Sequence, residues 1–348
     1  MAYSRKATKN CGHHRQPCST CHPRQPLPMG ALLLRRLLSL CLTLLVASAL
    51  VFAALEWLPG NAAEVMLGES ATPEAVAALE QKLGLDQPAL TRYLAWVTGL
   101  LCGETGLSLS YDEPTLTLLA ERMQVTGPLA LMAMALTTVV ALSLGVFAAA
   151  RHGRLGDMAV MTAGQVGLAL PNFWLAILLI LLFAVKLQWV GAGGFPGWTE
   201  DDGGGLRAGF TALLLPALAL ACVQAAILAR VTRSAVLEVM REDFVRTARA
   251  KGLSRRAVMW RHVLRNAMVP VFTVMGLQMA NLLTGTIVVE NVFVLPGVGR
   301  LVFQAISNRD LVLVRDVVMA LVALVVVLNF LVELLYLWLD PRLKRAAS

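Results

Sequence analysis

Charged residues are scarce in this 348-residue chain. Asp, Glu, Lys and Arg make up only 15% of it, whereas hydrophobic residues make up 57%. In a soluble globular domain about a quarter of the residues are charged. The composition therefore excludes an ordinary soluble domain and indicates an integral membrane protein.

Paired cysteine spacings are also absent. The six cysteines follow no repeated pattern, and Cys102 alone is predicted on the outer side, so we expect no structural disulfide. Residues 1–28 are polar and proline-rich, and we predict a disordered tail, or translation that begins at Met29. Three cysteines and three histidines fall in this tail. Their spacing matches no known zinc module, so we expect no metal site.

The sequence lacks a Gly-x-x-x-x-Gly-Lys-Ser/Thr phosphate loop, so we expect this chain not to bind ATP. His152 and His262 each lie among basic residues, and neither has a nucleophile or a metal ligand beside it. We therefore expect a non-catalytic protein. A secondary transporter would need inverted repeats or coupled intramembrane carboxylates, and it stays an alternative of a different class.

Six apolar runs are long enough to cross a bilayer, which takes about 20 residues each. The third contains Pro171, and we predict one kinked helix there, with two half-helices as the alternative. The predicted fold class is an all-α integral membrane protein with six transmembrane helices. The runs cover residues 37–57, 126–150, 157–188, 210–237, 266–289 and 312–339.

Basic residues concentrate on one side of these runs. Residues 58–125 have three basic residues against nine acidic ones, whereas eight basic residues fall between Arg241 and Arg265. Lys and Arg accumulate in cytoplasmic segments, so both termini are predicted to be cytoplasmic. The domain prediction is a tail 1–28, a first transmembrane helix 29–57, a periplasmic loop 58–125 with short helices, and a core 126–348 of five transmembrane helices that includes loop 238–265.

Short helices are predicted in the outer segments. Thr72 is a suitable N-cap for one of them, and Gly84 can end it in a left-handed turn. A second helix is expected over residues 89–101, with Tyr93 and Trp96 as anchors at the membrane surface. Beyond the fifth run, the segment ENVFVLPGVGRLVFQAISNRD predicts a short re-entrant or interfacial helix at the outer mouth.

A dense basic run, RTARAKGLSRRAVMWRHVLRNAMVPV, begins at Arg246. Nucleic-acid binding would need interleaved aromatic residues, and Trp260 is the single one in this run, so no nucleic acid is expected. Anionic lipid attracts basic residues without requiring any pattern. This run has a pattern, because one helix can end at Gly252 and Ser254 can cap a second. Two helices at a glycine elbow form a protrusion that fits a cleft on a partner protein.

With its flanks, this run resembles the cytoplasmic coupling loop of binding-protein-dependent ABC importer permeases, in the branch that serves dipeptides, oligopeptides and nickel. The resemblance extends from about Met29 over nearly the whole chain. It also rests on the segments ATPEAVAALEQKLGLDQP, LPNFWLAILLILLFAVKLQWV, ENVFVLPGVGR, NRD and LDPRLKR. It implies a B-type subunit with the type I importer permease fold, located in the bacterial inner membrane.

The resemblance implies that the elbow docks into a groove of a separate ATPase subunit. The implied partners are a second homologous permease subunit, two ATPase subunits that bind ATP and magnesium, a periplasmic solute-binding protein and membrane lipid; this chain itself is expected to bind no cofactor. Arginine replaces the glutamate of the family motif Glu-Ala-Ala-x-x-x-Gly, so no contact of that carboxylate is carried over. The implied coupling residues are Arg246, Thr247, Ala248, Lys251, Gly252, Leu253 and Ser254.

Polar side chains inside apolar runs need partners, so their placement is informative. In the fifth run Gln278, Asn281 and Gly285 fall on one helical face, and Gln165 and Asn172 share a face of the third run. Such faces can line a hydrated path that hydrogen-bonds a peptide backbone, or can bond one helix to another, and both alternatives stay open. The predicted pathway residues are Gln165, Asn172, Gln224, Gln278, Asn281 and Thr284.

Glu333 is the one acidic residue deep in an apolar run, and an intramembrane charge indicates a function or an ion pair. It lies at a depth similar to that of Arg230 and Arg233 in the fourth run. We predict a structural ion pair with one of these arginines, and proton coupling is the alternative.

The resemblance leaves two kinds of cargo. No His or Cys cluster lies in the apolar runs, so a bare metal ion would meet no soft ligands on its way. A chelated metal would need none. We expect di- or oligopeptides, with nickel or a metal chelate as the alternative.

Overall fold

The computed structural model describes residues 29–57, 62–68, 71–84 and 86–339, and these ranges are mainly helical. The predictions on residues 1–28, and the LDPRLKR segment from residue 340 onward, lie outside the described residues. The all-helical membrane fold predicted from the sequence is confirmed. The helices are α1 Met29–Glu56, α2 Ala62–Leu67, α3 Pro73–Leu83, α4 Ala89–Cys102, α5 Thr115–Ala150, α6 Leu155–Ala169, α7 Asn172–Lys186, α8 Leu206–Val239, α9 Asp243–Ala250, α10 Arg255–Val292, α11 Val298–Ser307 and α12 Leu311–Leu339.

Helix α8 lies at the centre of the bundle, against α5 on one side and α10 on another. More than half of its apolar window, 56%, is buried, compared with 6% for the peripheral α1. Lipid offers no hydrophobic drive for helix association, so small residues that allow close approach become important. At Gly145 an added Cβ would lie 2.6 Å from Thr232 Cβ. The close approach of α5 and α8 at this point therefore depends on this glycine.

The third apolar run is broken in two. Helices α6 and α7 meet at 102°, and the two residues between them, Leu170 and Pro171, have extended backbone with ψ of 126° and 139°. A proline disfavours helical backbone in the residue before it, which ends α6. The prediction of a single kinked helix was wrong, and the alternative of two half-helices is observed. Among the described residues, five single helices could cross a membrane, or six spans if the bent pair counts as one.

Two helices begin well before the positions predicted for their first residues. Helix α5 begins at Thr115 rather than at residue 126, and α10 begins at Arg255 rather than at residue 266. The apolar pattern stops at charged residues, whereas backbone hydrogen bonding continues through them. The first turns of these two helices therefore lie outside the apolar runs read from the sequence.

The predicted caps of the outer helices are present. Thr72 Oγ1 accepts a hydrogen bond from Ala75 N at 3.3 Å, and Gly84 ends α3 with φ of +64°. Helix α4 ends one residue after its predicted end. Its Trp96 is only 7% exposed and donates its indole N–H to Asp316 Oδ1 at 2.8 Å. The prediction of a surface anchor was wrong for Trp96, because a buried carboxylate on α12 supplies an acceptor for it.

Two aspartates at the start of α12 hold the loop that leads into α5. Asp316 Oδ2 accepts hydrogen bonds from Thr115 Oγ1 at 2.8 Å and from Gly106 N at 3.0 Å. Asp310 Oδ2 accepts from Ser108 Oγ at 2.7 Å. Both carboxylates are buried. This loop is therefore fixed to the last of the described helices by charge-assisted hydrogen bonds.

Glu290, near the end of α10, holds the short helix α11. Its fully buried carboxylate accepts hydrogen bonds from Thr126 Oγ1 at 2.6 Å and from the Gly299 N–H at 2.8 Å. A negative charge is favourable at the positive N-terminal end of a helix. An added Cβ at Gly297 would lie 2.3 Å from the same carboxylate. The short helix predicted after the Pro-Gly turn is confirmed.

We expect Thr126→Val to destabilise the fold. The hydroxyl of Thr126 donates to Glu290 and accepts from Val298 N at 2.9 Å, so the isosteric valine removes both hydrogen bonds inside the protein. Leaving buried partners unsatisfied costs about 2 kcal/mol or more. The measurement is thermal unfolding of the chain in detergent. Thr273→Val is the control, because its hydroxyl donates back to Val269 in its own helix. Equal shifts for the two variants would contradict the role of Thr126.

Candidate functional site

The basic run folds as the predicted elbow. Helix α9 ends at Ala250, and Gly252 adopts a left-handed φ of +82°. Ser254 Oγ then accepts a hydrogen bond from Ala257 N at 3.3 Å, which starts the next helix. A left-handed turn is readily adopted by glycine and unfavourable for other residues. The predicted glycine turn and serine cap are both confirmed.

The inner face of α9 packs on the helix bundle. Val245 is completely buried and Ala248 is 6% exposed. They contact a cluster of buried apolar side chains, which consists of Ala149, Ala235, Val236, Val258, Val263 and Ala267. Ala248, one of the predicted coupling residues, is directed into the protein and away from the exposed face of α9. The inner face of α9 is therefore part of the core.

The outer face of the elbow combines positive charge with exposed apolar side chains. The Arg246 side chain is 75% exposed, and its partner, Asp243 at 3.4 Å, is almost fully exposed. Phe244 is 43% and Leu253 37% exposed. Phe244 was not among the predicted coupling residues. An apolar residue within a basic loop was the feature of the sequence that could have drawn attention to it. Apolar side chains grouped at a protrusion are typical of protein–protein contacts.

The elbow continues directly into a membrane-spanning helix. Residues Val258–Val263 form a π-helical turn within α10. Such turns are uncommon and often occur at functional positions. The sequence predicted a separate short helix followed by a span from residue 266. Helix continues across that boundary, so no loop separates the elbow from α10.

The predicted pathway residues separate into two groups. Gln278 and Gln224 are 2% and 9% exposed, and Gln278 Nε2 donates to the Gln224 carbonyl at 3.0 Å. These two glutamines join α10 to α8. Asn281 and Thr284 lie on the exposed side of α10. The boundary between buried and exposed surface runs between Gln278 and Asn281, although they are one helical turn apart.

The remaining polar residues of the third run lie on opposite sides of its break. Asn172 is partly buried at the start of α7, and its Nδ2 lies 3.7 Å from a Cβ built at Gly285 of α10. Gln165 is exposed on α6 and lines a cavity against α8. The predicted shared face of Gln165 and Asn172 does not exist, because the helix axis turns between them.

The ion pair predicted for Glu333 has a different partner. Arg36 Nη1 lies 2.6 Å from Glu333 Oε2, and both side chains are nearly half exposed. The prediction that Arg230 or Arg233 pairs with Glu333 was wrong. Helix α12 packs against α1, which lies at the other end of the described sequence. The pair joins the first and last helices of the described chain.

Arg233 binds an acidic residue that the sequence analysis did not select. Its Nε and Nη2 lie 2.5 and 2.7 Å from the two carboxylate oxygens of Asp157. Asp157 also accepts from the Gly153 N–H at 3.0 Å. This bidentate pair connects α8 to the start of α6. Asp157 is the first residue of the third apolar run. A lone acidic residue close to arginines was the feature of the sequence that could have predicted an ion pair here.

Together, the apolar spanning helices and the packed elbow define a multi-pass membrane permease. The chain matches the family described as the binding-protein-dependent transport system inner membrane component over residues 141–345. The N-terminal domain of such membrane components matches over residues 29–129. The chain therefore belongs to this family of ABC importer permeases.

Known proteins are similar over nearly their whole length. A di/tripeptide transport system permease of Pseudomonas aeruginosa is 38% identical over 91% of this chain and 99% of its own length. A glutathione transport system permease of Salmonella choleraesuis is 36% identical over 89% of this chain and 98% of its own. A solved structure of the MetNI methionine ABC transporter superposes with a TM-score of 0.51 at 18% identity, covering 67% of this chain and 97% of that one. This last similarity supports the fold alone.

We expect Asp157→Asn to lower the thermal unfolding midpoint strongly. The substitution leaves the partly buried Arg233 without its charged partner, and removing one member of a buried pair is far more destabilising than removing an exposed one. Asp243→Asn is the matched control, since the Asp243–Arg246 pair is exposed to solvent and such pairs contribute little. Similar midpoints for both variants would show that Asp157 does not stabilise the bundle.

Proposed function

We propose that this chain forms half of the translocation pathway of an ATP-driven importer for di- or oligopeptides. In this proposal a periplasmic binding protein delivers the peptide, a second homologous permease subunit completes the pathway, and two ATPase subunits bind and hydrolyse ATP. The chain itself performs no catalysis and binds no cofactor. It lies in the bacterial inner membrane with both termini in the cytoplasm.

The observation that carries the proposal is the elbow around Gly252. Its inner residues, Val245 and Ala248, are buried against the bundle, and its outer residues, Arg246 and Leu253, face away from it. A protrusion that is rigid on one side and exposed on the other suits force transfer from a separate subunit. Its π-helical connection to α10 gives that force a direct route into the membrane.

The proposed coupling contact differs from the predicted set of coupling residues at two positions. Arg246, Thr247, Lys251, Gly252, Leu253 and Ser254 are exposed and stay in the proposed contact. Phe244 joins them because of its exposure, and Ala248 takes a positioning role. Since the motif glutamate is an arginine here, the proposed contact surface carries positive charge where other members carry a carboxylate.

Asn281 and Thr284 support the proposed path for the cargo. They are exposed on α10, and amide and hydroxyl groups can hydrogen-bond a peptide backbone without selecting its side chains. The two similar permeases described above are named for di/tripeptides and for glutathione, which is itself a tripeptide. These observations favour short peptides over nickel, which the same branch also serves.

We expect Gly252→Ala to abolish most peptide uptake while the chain still folds. No atom lies within 4 Å of a Cβ built at Gly252. Within this chain the substitution therefore causes only the backbone strain of a left-handed alanine, about 1–2 kcal/mol. Gly153→Ala is the control, because Gly153 has a φ of +74° and equally open surroundings. We expect both to lose similar stability and only Gly252→Ala to uncouple transport from ATP hydrolysis. Equal uptake by the two variants would argue against coupling at the elbow.

Cargo is tested by uptake in a strain that lacks this gene. Radiolabelled nickel, a labelled dipeptide and a longer labelled peptide are compared with and without a plasmid copy of the gene. We expect loss of peptide uptake alone, with recovery from the plasmid. Loss of nickel uptake alone would replace the peptide proposal by the nickel alternative. Uptake that persists when the partner ATPase is disabled would contradict the importer mechanism and support a secondary transporter.

A further inference from the structure

A cavity of about 600 Å³ lies between α5, α6 and α8. Its wall is mainly aliphatic, with side chains such as Val140, Leu144 and Val166. Three lining residues are polar or charged: Gln165, Cys222 and Arg230. A cavity of roughly 300–1,000 Å³ with apolar walls and a few polar groups is typical of small-molecule binding sites.

Arg230 is the one charged residue among those that line this cavity. It is exposed, and within the described part of the chain no acidic side chain forms an ion pair with it. Arg233, one helical turn further along α8, is neutralised by Asp157. Two arginines on the same helix therefore differ in whether their charge is satisfied. An ionisable residue on a spanning helix that has no protein partner indicates a ligand.

We propose that Arg230 binds the C-terminal carboxylate of a peptide in transit. The inference rests on the proposed function, and it adds a cargo-binding residue to it. A guanidinium binds a carboxylate with two parallel hydrogen bonds, a geometry that lysine cannot reproduce. Every peptide with a free C-terminus carries this group, whatever its side chains are.

The rest of the cavity suits the same ligand. The side-chain amide of Gln165 can donate to and accept from a peptide bond. The aliphatic wall accommodates side chains of different shapes, because apolar contact is not directional. No acidic residue lines the cavity, so an anionic group entering it meets no repulsion. The site would recognise the terminus of a peptide and tolerate its sequence.

Cys222 provides a direct probe of this site. It is exposed, lines the cavity and lies two helical turns from Arg230, about 12 Å along the axis of α8. A variant in which the other five cysteines are replaced by serine is assembled with its partner subunits in liposomes of zwitterionic lipid. The rate at which Cys222 forms a mixed disulfide, with release of a sulfinate, is measured with an anionic and a cationic thiosulfonate reagent.

We expect the anionic reagent to react faster than the cationic one by roughly fivefold, because Arg230 attracts one and repels the other. Arg230→Gln should remove this preference. Arg207→Gln, an exposed arginine at the outer end of the same helix, should keep it. Retention of the preference in Arg230→Gln, or its absence from the parent, would overturn the assignment of Arg230 to the cavity.

The ligand is tested by protection of Cys222. Alanyl-alanine should slow the reaction of Cys222 with the thiosulfonate several-fold in the parent and not in Arg230→Gln, whereas alanyl-alanine amide should protect weakly in both. Equal protection by the two dipeptides would overturn carboxylate recognition. Protection by phosphatidylglycerol in the liposomes, without protection by the dipeptide, would assign Arg230 to a lipid phosphate and also overturn the proposal.

Failure of this inference can be told apart from failure of the proposed function. If the chain carries peptides but Arg230 does not bind them, gene-dependent peptide uptake stays intact and Arg230→Gln leaves its KM unchanged. If the cargo is not a peptide, gene-dependent peptide uptake is absent in the parent itself. A raised KM for the free dipeptide in Arg230→Gln, only partly corrected in Arg230→Lys, supports the proposal.

Discussion

Buried carboxylates that join one helix to another hold this fold together. Four lie among the described residues: Asp157, Glu290, Asp310 and Asp316. Each accepts hydrogen bonds from an element other than its own; Glu290 on α10, for example, accepts one from Thr126 on α5. In a protein with few charges and with lipid around it, a polar group must find its partner inside the protein. These carboxylates therefore fix where the loops and short helices attach to the apolar bundle.

The two ends of the bundle are held by different interactions. At the outer end, Asp310, Asp316 and Glu290 bind the loop before α5 and the helix α11, so that surface is held in one arrangement. At the inner end, the elbow is held by apolar packing around Val245 and its polar surface stays free. A fixed surface at one end and an exposed protrusion at the other suit the proposed contacts with a delivery protein and an ATPase.

The break between α6 and α7 changes what the polar residues of the third run can do. A straight helix would place Gln165 and Asn172 on one path, but the 102° bend leaves Asn172 beside α10 and Gln165 at the cavity with Arg230. Asp157, at the start of α6, neutralises Arg233 and does not line the cavity. One arginine of α8 is therefore structural, and the other is available to a ligand.

Periodicity, capping residues and charge asymmetry are local properties, so the sequence by itself determined the apolar runs, the Thr72 and Ser254 caps and the left-handed turn at Gly252. The family followed from the same local motifs. Tertiary structure alone decided which helices are neighbours: Glu333 meets Arg36, Trp96 meets Asp316, and Arg233 meets Asp157. Each pair joins residues far apart in the chain. Helix packing in lipid depends on small shape differences, such as Gly145 against Thr232, which no pattern along one helix reveals.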